Sequence, residues 1–192
     1  MRGSQFDDKG PWHSLVRKTR LGYHVPVESG GFRRNLSEGI VYEEYPARDL
    51  NFVFNGMCHA LIGLWEAAKS GIVSDAEDDF KLGVQALRAL LPRFSRGSWS
   101  LYSLSDCMGK PILASPYYQR ANGLLANVIG LMVGDPEIRC CGDRWLAASD
   151  SILRRSLMSL RISVDRFLNA PGLLSSDKSK NSLKSSALTR LS

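Results

Sequence analysis

The sequence predicts a mainly α fold, built of helical hairpins with one short extended segment between them. Three observations carry this expectation. Apolar residues recur at helical spacing in paired runs, Gly and Pro punctuate those runs, and the stretch GSWSLYSL at 97–104 alternates in period two instead. At 192 residues, with 44% hydrophobic and 23% charged side chains, the chain can bury the core of one domain.

Residues 1–41 read as an irregular lead-in, rich in Gly, Arg and Lys, with GYHVPVESGGF at 22–32 as turns between short extended pieces. From Asn55 onward Cys58, Leu61, Ile62, Trp65 and Ala68 form one helical stripe, and Gly71 after Ser70 stops it. SDAE at 74–77 is a capping box, Ser74 with Glu77, that opens a second helix. Its stripe is Phe80, Val84, Leu87 and Leu91, closed by Pro92. The short connection makes these two helices a hairpin. After the extended piece, a third helix is expected from about Tyr118 to Val133 with Gly134 as its cap. Asp135 followed by Pro136 then starts a fourth. Trp145, Leu146, Ile152, Leu153, Leu157, Leu160, Val164 and Phe167 carry the fourth to about Leu168. Pro171 and Gly172 break the pattern, and the Ser/Lys-rich run at 173–192 reads as a disordered tail. The chain thus divides into a lead-in at 1–41, a helical domain at 42–172 and the tail. Such hairpins are what a segment of an α/α toroid or of a helical-repeat array shows, and no internal repeat chooses between them.

A net charge of +6 and a pI near 9.3 favour an acidic partner: nucleic acid, anionic lipid or an acidic polysaccharide. With no RNP-like aromatic pattern, zinc-finger spacing or recognition helix, nucleic acid is disfavoured. Cys58, Cys107, Cys140 and Cys141 include no C-x-x-C and read as free thiols, although one disulfide stays open for a secretory chain. No metal and no cofactor is assigned. The start MRGSQFDDKGPW lacks a signal-type apolar core. The apolar run ANGLLANVIGLMVG at 121–134 is shorter than the roughly 20 residues of a membrane span.

The stretch YEEYPARDLNFVFNG at 42–56 sets two phenols and two acids just before a helix start. With ALIGLWE at 60–66, it resembles the carboxy-terminal domain of the glucuronyl C5-epimerases. DDKGPW at 7–12, GSWSLYSL and PYYQRANGLL at 116–125 are similar to further family segments. The resemblance implies an incomplete α/α toroid and the conversion of D-glucuronate to L-iduronate in heparan sulfate precursors. It implies heparosan or a related acidic polysaccharide as partner, and the Golgi lumen as compartment, although no signal or anchor is visible. A homodimer is left open. Carried over by position, it gives Tyr45, Tyr102 and Tyr118 as catalytic residues. Glu44 and Asn55 are assigned to substrate binding. Where the family places an Arg three residues after the strand Tyr, this chain has Ser105; Arg120, Lys110 or Arg48 would have to substitute, and Arg120 is taken as the candidate. Gln119 and Asn122 replace family histidines, and a PGW-type segment with its helices is missing before YEEYP. The chain therefore resembles a shortened, internally deleted member.

Inverting carbon 5 of a uronate means removing a proton alpha to a carboxylate and returning one to the other face. That needs one acid/base group per face and donors aimed at the carboxylate. A phenol has a pKa near 10, so a cation or strong hydrogen bonds must bring it toward neutrality. Plainer readings stand beside this one. Glu43 and Glu44 can be solvated acids, Asn55 an N-cap, Tyr102 half-buried core, the four tryptophans packing, and His59 a partial-core histidine. Two alternative functions also stand. An α/α-toroid polysaccharide lyase shares the first proton abstraction; a non-catalytic remnant would bind an acidic glycan, and Ser105 favours it.

Overall fold

The computed structural model describes residues 11–46, 48–73, 75–105 and 112–168, and over these the protein is mainly helical. The lead-in is not irregular. It holds helix α1 (Pro11–His24), a 3-10 turn at Val27–Ser29 and the hairpin of β1 (Arg33–Leu36) with β2 (Gly39–Tyr42). No apolar stripe announced α1, because charge holds it. Arg20, buried on an otherwise solvated helix, pairs with Asp79. His24 Nε2 lies 2.8 Å from Asp75 Oδ2, and Arg33 Nη1 3.4 Å from Asp79 Oδ1. Both acids sit at the start of α3 (Ala76–Phe94), on either side of its first residue. Burial lowers the Arg20 pKa, and Asp75 is the main opposing influence.

The first hairpin of helices is as expected: α2 (Phe54–Lys69) turns into α3 through Gly71, whose φ of 68° a side chain would resist. Three details differ. Ser74 lies outside the described residues, and Glu77 pairs with Lys81 at 2.9 Å. Asn55 is not the N-cap of α2, since the helix begins at Phe54 behind Val53. And α3 continues past Pro92 to Phe94. Proline there forfeits one hydrogen bond in the last turn. Against that loss, Phe94 is fully buried, edge-on to Phe52 at 4.9 Å and to Phe54 at 5.1 Å.

The extended segment is β5 (Trp99–Ser105), the middle of a small antiparallel sheet with β3 (Asn51–Val53), β4 (Ser95–Arg96) and β6 (Ile112–Leu113). Its register with β3 runs from Asn51 opposite Ser105 to Val53 opposite Ser103. The second helix pair is α4 (Pro116–Val133) and α5 (Pro136–Asp150). Helix α4 starts at Pro116, two residues ahead of the expected Tyr118, because Ser115 caps it and accepts from the Tyr118 amide at 3.3 Å. Asp135 caps α5 as expected, accepting from Glu137 and Ile138 amides at 2.8 and 3.1 Å. The two backbones approach closely: a Cβ added at Gly123 would lie 2.8 Å from Leu146 and 3.1 Å from the Gly142 carbonyl. The expected fourth helix is in fact two. It breaks at Ser151, whose extended backbone ends α5 and whose hydroxyl accepts from the Arg154 amide to start α6 (Ile152–Leu168).

Between β5 and the second pair lies a buried polar tie. The Gln119 carboxamide is fully buried. Its Oε1 accepts from the Ser100 amide at 2.7 Å and the Ser100 hydroxyl at 2.8 Å. Its Nε2 donates to the Ser98 carbonyl at 3.2 Å and the Trp145 carbonyl at 2.9 Å. Asn122 Nδ2 adds bonds to Ser100 Oγ and Leu101 O, both at 3.1 Å. Trp145 in turn packs edge-on to Phe54 at 5.1 Å, joining this tie to the aromatic core.

Replacing Gln119 by Leu strands a buried amide, a hydroxyl and two carbonyls at once. Each such group costs roughly 1–3 kcal/mol, so Gln119→Leu is expected to lose about 3 kcal/mol or more of folding stability. Urea titration of the variant beside the parent chain measures this, and a loss under about 1 kcal/mol contradicts the role given to the tie.

Candidate functional site

Strand β5 and helix α4 bring two of the expected tyrosines together. Residues two apart on a strand share a face. Ser100 is bound by Gln119, and Tyr102, two residues on, meets Tyr118 from the adjacent helix position. The Tyr102 and Tyr118 rings are T-shaped with centroids 4.7 Å apart, and Tyr117 stands beside Tyr118 at 5.3 Å. Tyr117 is 75% exposed, the outermost of the three.

The loop after β2 supplies the rest. Tyr42 belongs to the core, and Glu43 is buried and paired with Arg34, so neither is part of a solvated acidic patch. Glu44 and Tyr45 point outward. The Glu44 side chain lies over the first turn of α2: a Cβ at Gly56 would come within 2.8 Å of the Glu44 Cβ. Only glycine leaves that space. Asn55 precedes Gly56 in α2, and its Oδ1 is buried without a hydrogen-bond partner.

The electrostatics run opposite to the expected activation. The Tyr102 phenol is pushed up to about 12, first by burial, then by the Glu44 charge, the phenols of Tyr118 and Tyr45, and a hydrogen bond with Tyr118. Tyr45 is also raised, chiefly by its hydrogen bond to Glu44 and by that carboxylate's charge. No cation figures among the causes for either phenol. Arg120 is held elsewhere, with Nη1 2.6 Å from Asp150 Oδ1 at the end of α5. The structure thus gathers Glu44, Tyr45, Tyr102 and Tyr118 and turns Arg120 away, while Asn55 shares no hydrogen bond with them among the described residues. Lys110 and the Ser105 side chain lie outside what is described.

Beside this cluster is a cavity of about 310 Å³, which Glu44 shares. Tyr23, Phe32, Glu43 and His59 line it. His59 is exposed there rather than a partial-core residue. One sequence signal could have found it, since His59 follows Asn55 by four residues and so lies on the same helix face. Trp99, by contrast, is core: it is 1% exposed and its Nε1 donates to the Ala114 carbonyl at 2.8 Å. Among the described residues no group of His, Cys, Asp and Glu could hold a metal ion. Cys58, Cys140 and Cys141 are free thiols, with Cys140 exposed; Cys107 lies outside the described residues. No described helix is long and apolar enough to cross a membrane.

Comparison with known proteins fits this geometry. Residues 14–147 match the family model described as "D-glucuronyl C5-epimerase C-terminus". Over 155 residues the chain is 28% identical to the D-glucuronyl C5-epimerase of Caenorhabditis elegans, covering 73% of this chain and 25% of that protein. The chain therefore spans about a quarter of the length of that curated relative. The family match includes α2 to α4, β5 and the loop bearing Glu44 and Tyr45, so it covers every side chain of the cluster. This chain belongs to the family of the D-glucuronyl C5-epimerase carboxy-terminal domain.

Proposed function

We propose that the tyrosine cluster is an epimerase-type site for a glucuronate residue of a heparan sulfate precursor, and that this chain by itself turns over little or none. Tyr102 and Tyr118 present one face of the site, and Tyr45 on its loop, oriented by Glu44, presents another. Epimerisation would take the carbon 5 proton on one side, hold the carbanion in the adjacent carboxylate, and return a proton from the other side. The Asn55 carboxamide would hold the sugar. The Golgi lumen, where such precursors would be met, is part of the same reading.

One observation carries the second half of the proposal. Tyr102 is held protonated by burial and by the Glu44 charge, and Tyr45 by its hydrogen bond to Glu44. With its pKa near 12, about one Tyr102 in 10⁵ is a phenolate at pH 7, so it serves as a proton donor and not as a base. The carboxylate nearest to it, Glu44, also opposes the negative charge that builds during the reaction. Among the described residues no cation acts on Tyr45 or Tyr102, and lacking one at a developing anion costs about 3 kcal/mol or more, a hundredfold or greater in rate. Arg120, paired with Asp150, does not meet that need.

Incubating the chain with N-sulfated heparosan in deuterated water and following deuterium at carbon 5 tests this. Little or no uptake is expected, and no ultraviolet absorbance from a new double bond, which a lyase would generate. Uptake at a rate near that of a full-length family enzyme would overturn the reading. The phenols themselves are checked by alkaline titration. Tyr42 and Tyr102 both stand near 12 in the folded protein against about 10 unfolded, so the fold favours their neutral forms. Their stabilising contribution is complete below pH 10 and is lost between about 10 and 12. Phenolate absorbance should show these two ionising last, together with alkaline unfolding; full ionisation of all six tyrosines by pH 10.5 in a folded chain is the contrary result.

A further inference from the structure

Helix α6 lies beyond the family match, which ends at residue 147, and its apolar surface faces the wrong way for a core helix. Leu153, Leu157, Leu160, Val164 and Phe167 follow one another at steps of four and three, a continuous stripe along one face. All five are exposed, from 45% at Val164 to 69% at Leu153. Met158 and Ile162, on the opposite side of the helix, are half-buried. The helix thus docks through its narrow apolar edge and leaves the wide one unpartnered.

Charge says what chemistry covers it. Eight of the 25 Lys and Arg fall at 152–192, against two of the 19 Asp and Glu, so that segment holds a charge of +6. Residues 1–151, with 17 of each sign, are neutral. Arg154 and Arg161 flank the stripe, and Arg155 and Arg166 lie on the polar side. Helix α4 also exposes Leu124, Val128 and Leu131, but it carries Arg120 alone among cations, whereas α6 couples its five-residue stripe to four arginines. A second copy is a poor occupant. In a two-stranded pairing the flanking positions would present Arg154 and Arg161 to Ser156 and Ser163, or to each other, with no acid opposite. An acidic glycan would satisfy the arginines but not the stripe.

We propose that α6 is an in-plane docking helix for an anionic membrane surface. Its leucines, Val164 and Phe167 would enter the acyl boundary while Arg161, and Arg154 in exchange for its 3.3 Å bond to Ser98 Oγ, extend to lipid phosphates and carboxylates. The basic residues Lys178, Lys180, Lys184 and Arg190 that follow in the sequence add to the attraction.

The full chain should co-sediment with vesicles of phosphatidylcholine containing about 30% phosphatidylserine at least about tenfold more strongly than with phosphatidylcholine alone, and less so as salt rises. The double variant Leu157→Asp/Leu160→Asp should lose at least about tenfold in binding. Arg154→Gln/Arg161→Gln should lose most of the preference for anionic vesicles. All four side chains are exposed, so far-UV circular dichroism and thermal unfolding should match the parent. Equal binding to neutral and anionic vesicles, or none to either, overturns the proposal. So does binding that the aspartates leave intact, which would assign it to the basic residues alone. A parent chain that sediments as a dimer and becomes monomeric in the aspartate variant would make a second copy the occupant. Retention on heparin with no vesicle binding would make it a glycan.

Discussion

The Gln119 carboxamide sets the site. Its four hydrogen bonds use both donors and both acceptor positions of one side chain, and they join β5 to α4 and α5 at a single buried point. The register of β5 against α4 follows from it. With Ser100 fixed at Gln119, Tyr102 comes beside Tyr118 at an irregularity in the β5–β6 register between Leu101 and Ser103, and the two rings form the T-shaped pair. A neutral imidazole has one donor and one acceptor, so a histidine at this position could not make the same four bonds.

Where the sequence was legible, one physical signal dominated. Helices α2, α3 and α4 bury an apolar stripe, and periodicity finds such elements. Asp135 and Pro136 marked the start of α5 because a cap is local chemistry. Helix α1 escaped because Arg20, His24 and Asp79 hold it across 55 or more residues of chain, and no window of sequence contains both partners. The break at Ser151 escaped for a different reason. The apolar pattern does continue through it, but on α6 the pattern serves an exposed face, so periodicity alone overstated the core. The cluster Ser149-Asp150-Ser151 was the local sign of a turn and a new cap.

For the site, the YEEYP resemblance pointed to a loop, a strand and a helix whose tyrosines the fold brings near one another, while the direction of Arg120 follows from helix geometry. Arg120 follows Tyr118 by two residues, about 200° around α4, so the two side chains leave opposite sides of the helix. Its partner Asp150 is where that direction leads. The pKa directions were not legible at all, since they depend on how Glu44 lies over Gly56 and against Tyr102.

The net charge must also be reassigned. Taken over the whole chain, +6 favours an acidic polysaccharide, and that argument pointed toward a uronate substrate. Yet residues 1–151, which contain the family-matched part, are electrically neutral, and the charge resides beyond them. At physiological ionic strength the field of α6 decays over about 8 Å, so cations at its exposed face act mainly on what touches that face. The charge that acts on both Tyr102 and Tyr45 is that of Glu44, which opposes a second carboxylate there. The case for a uronate at the cluster must then rest on the phenols, Asn55 and family membership, without help from the isoelectric point. Basic charge and epimerase-type architecture are two properties of two regions of this chain.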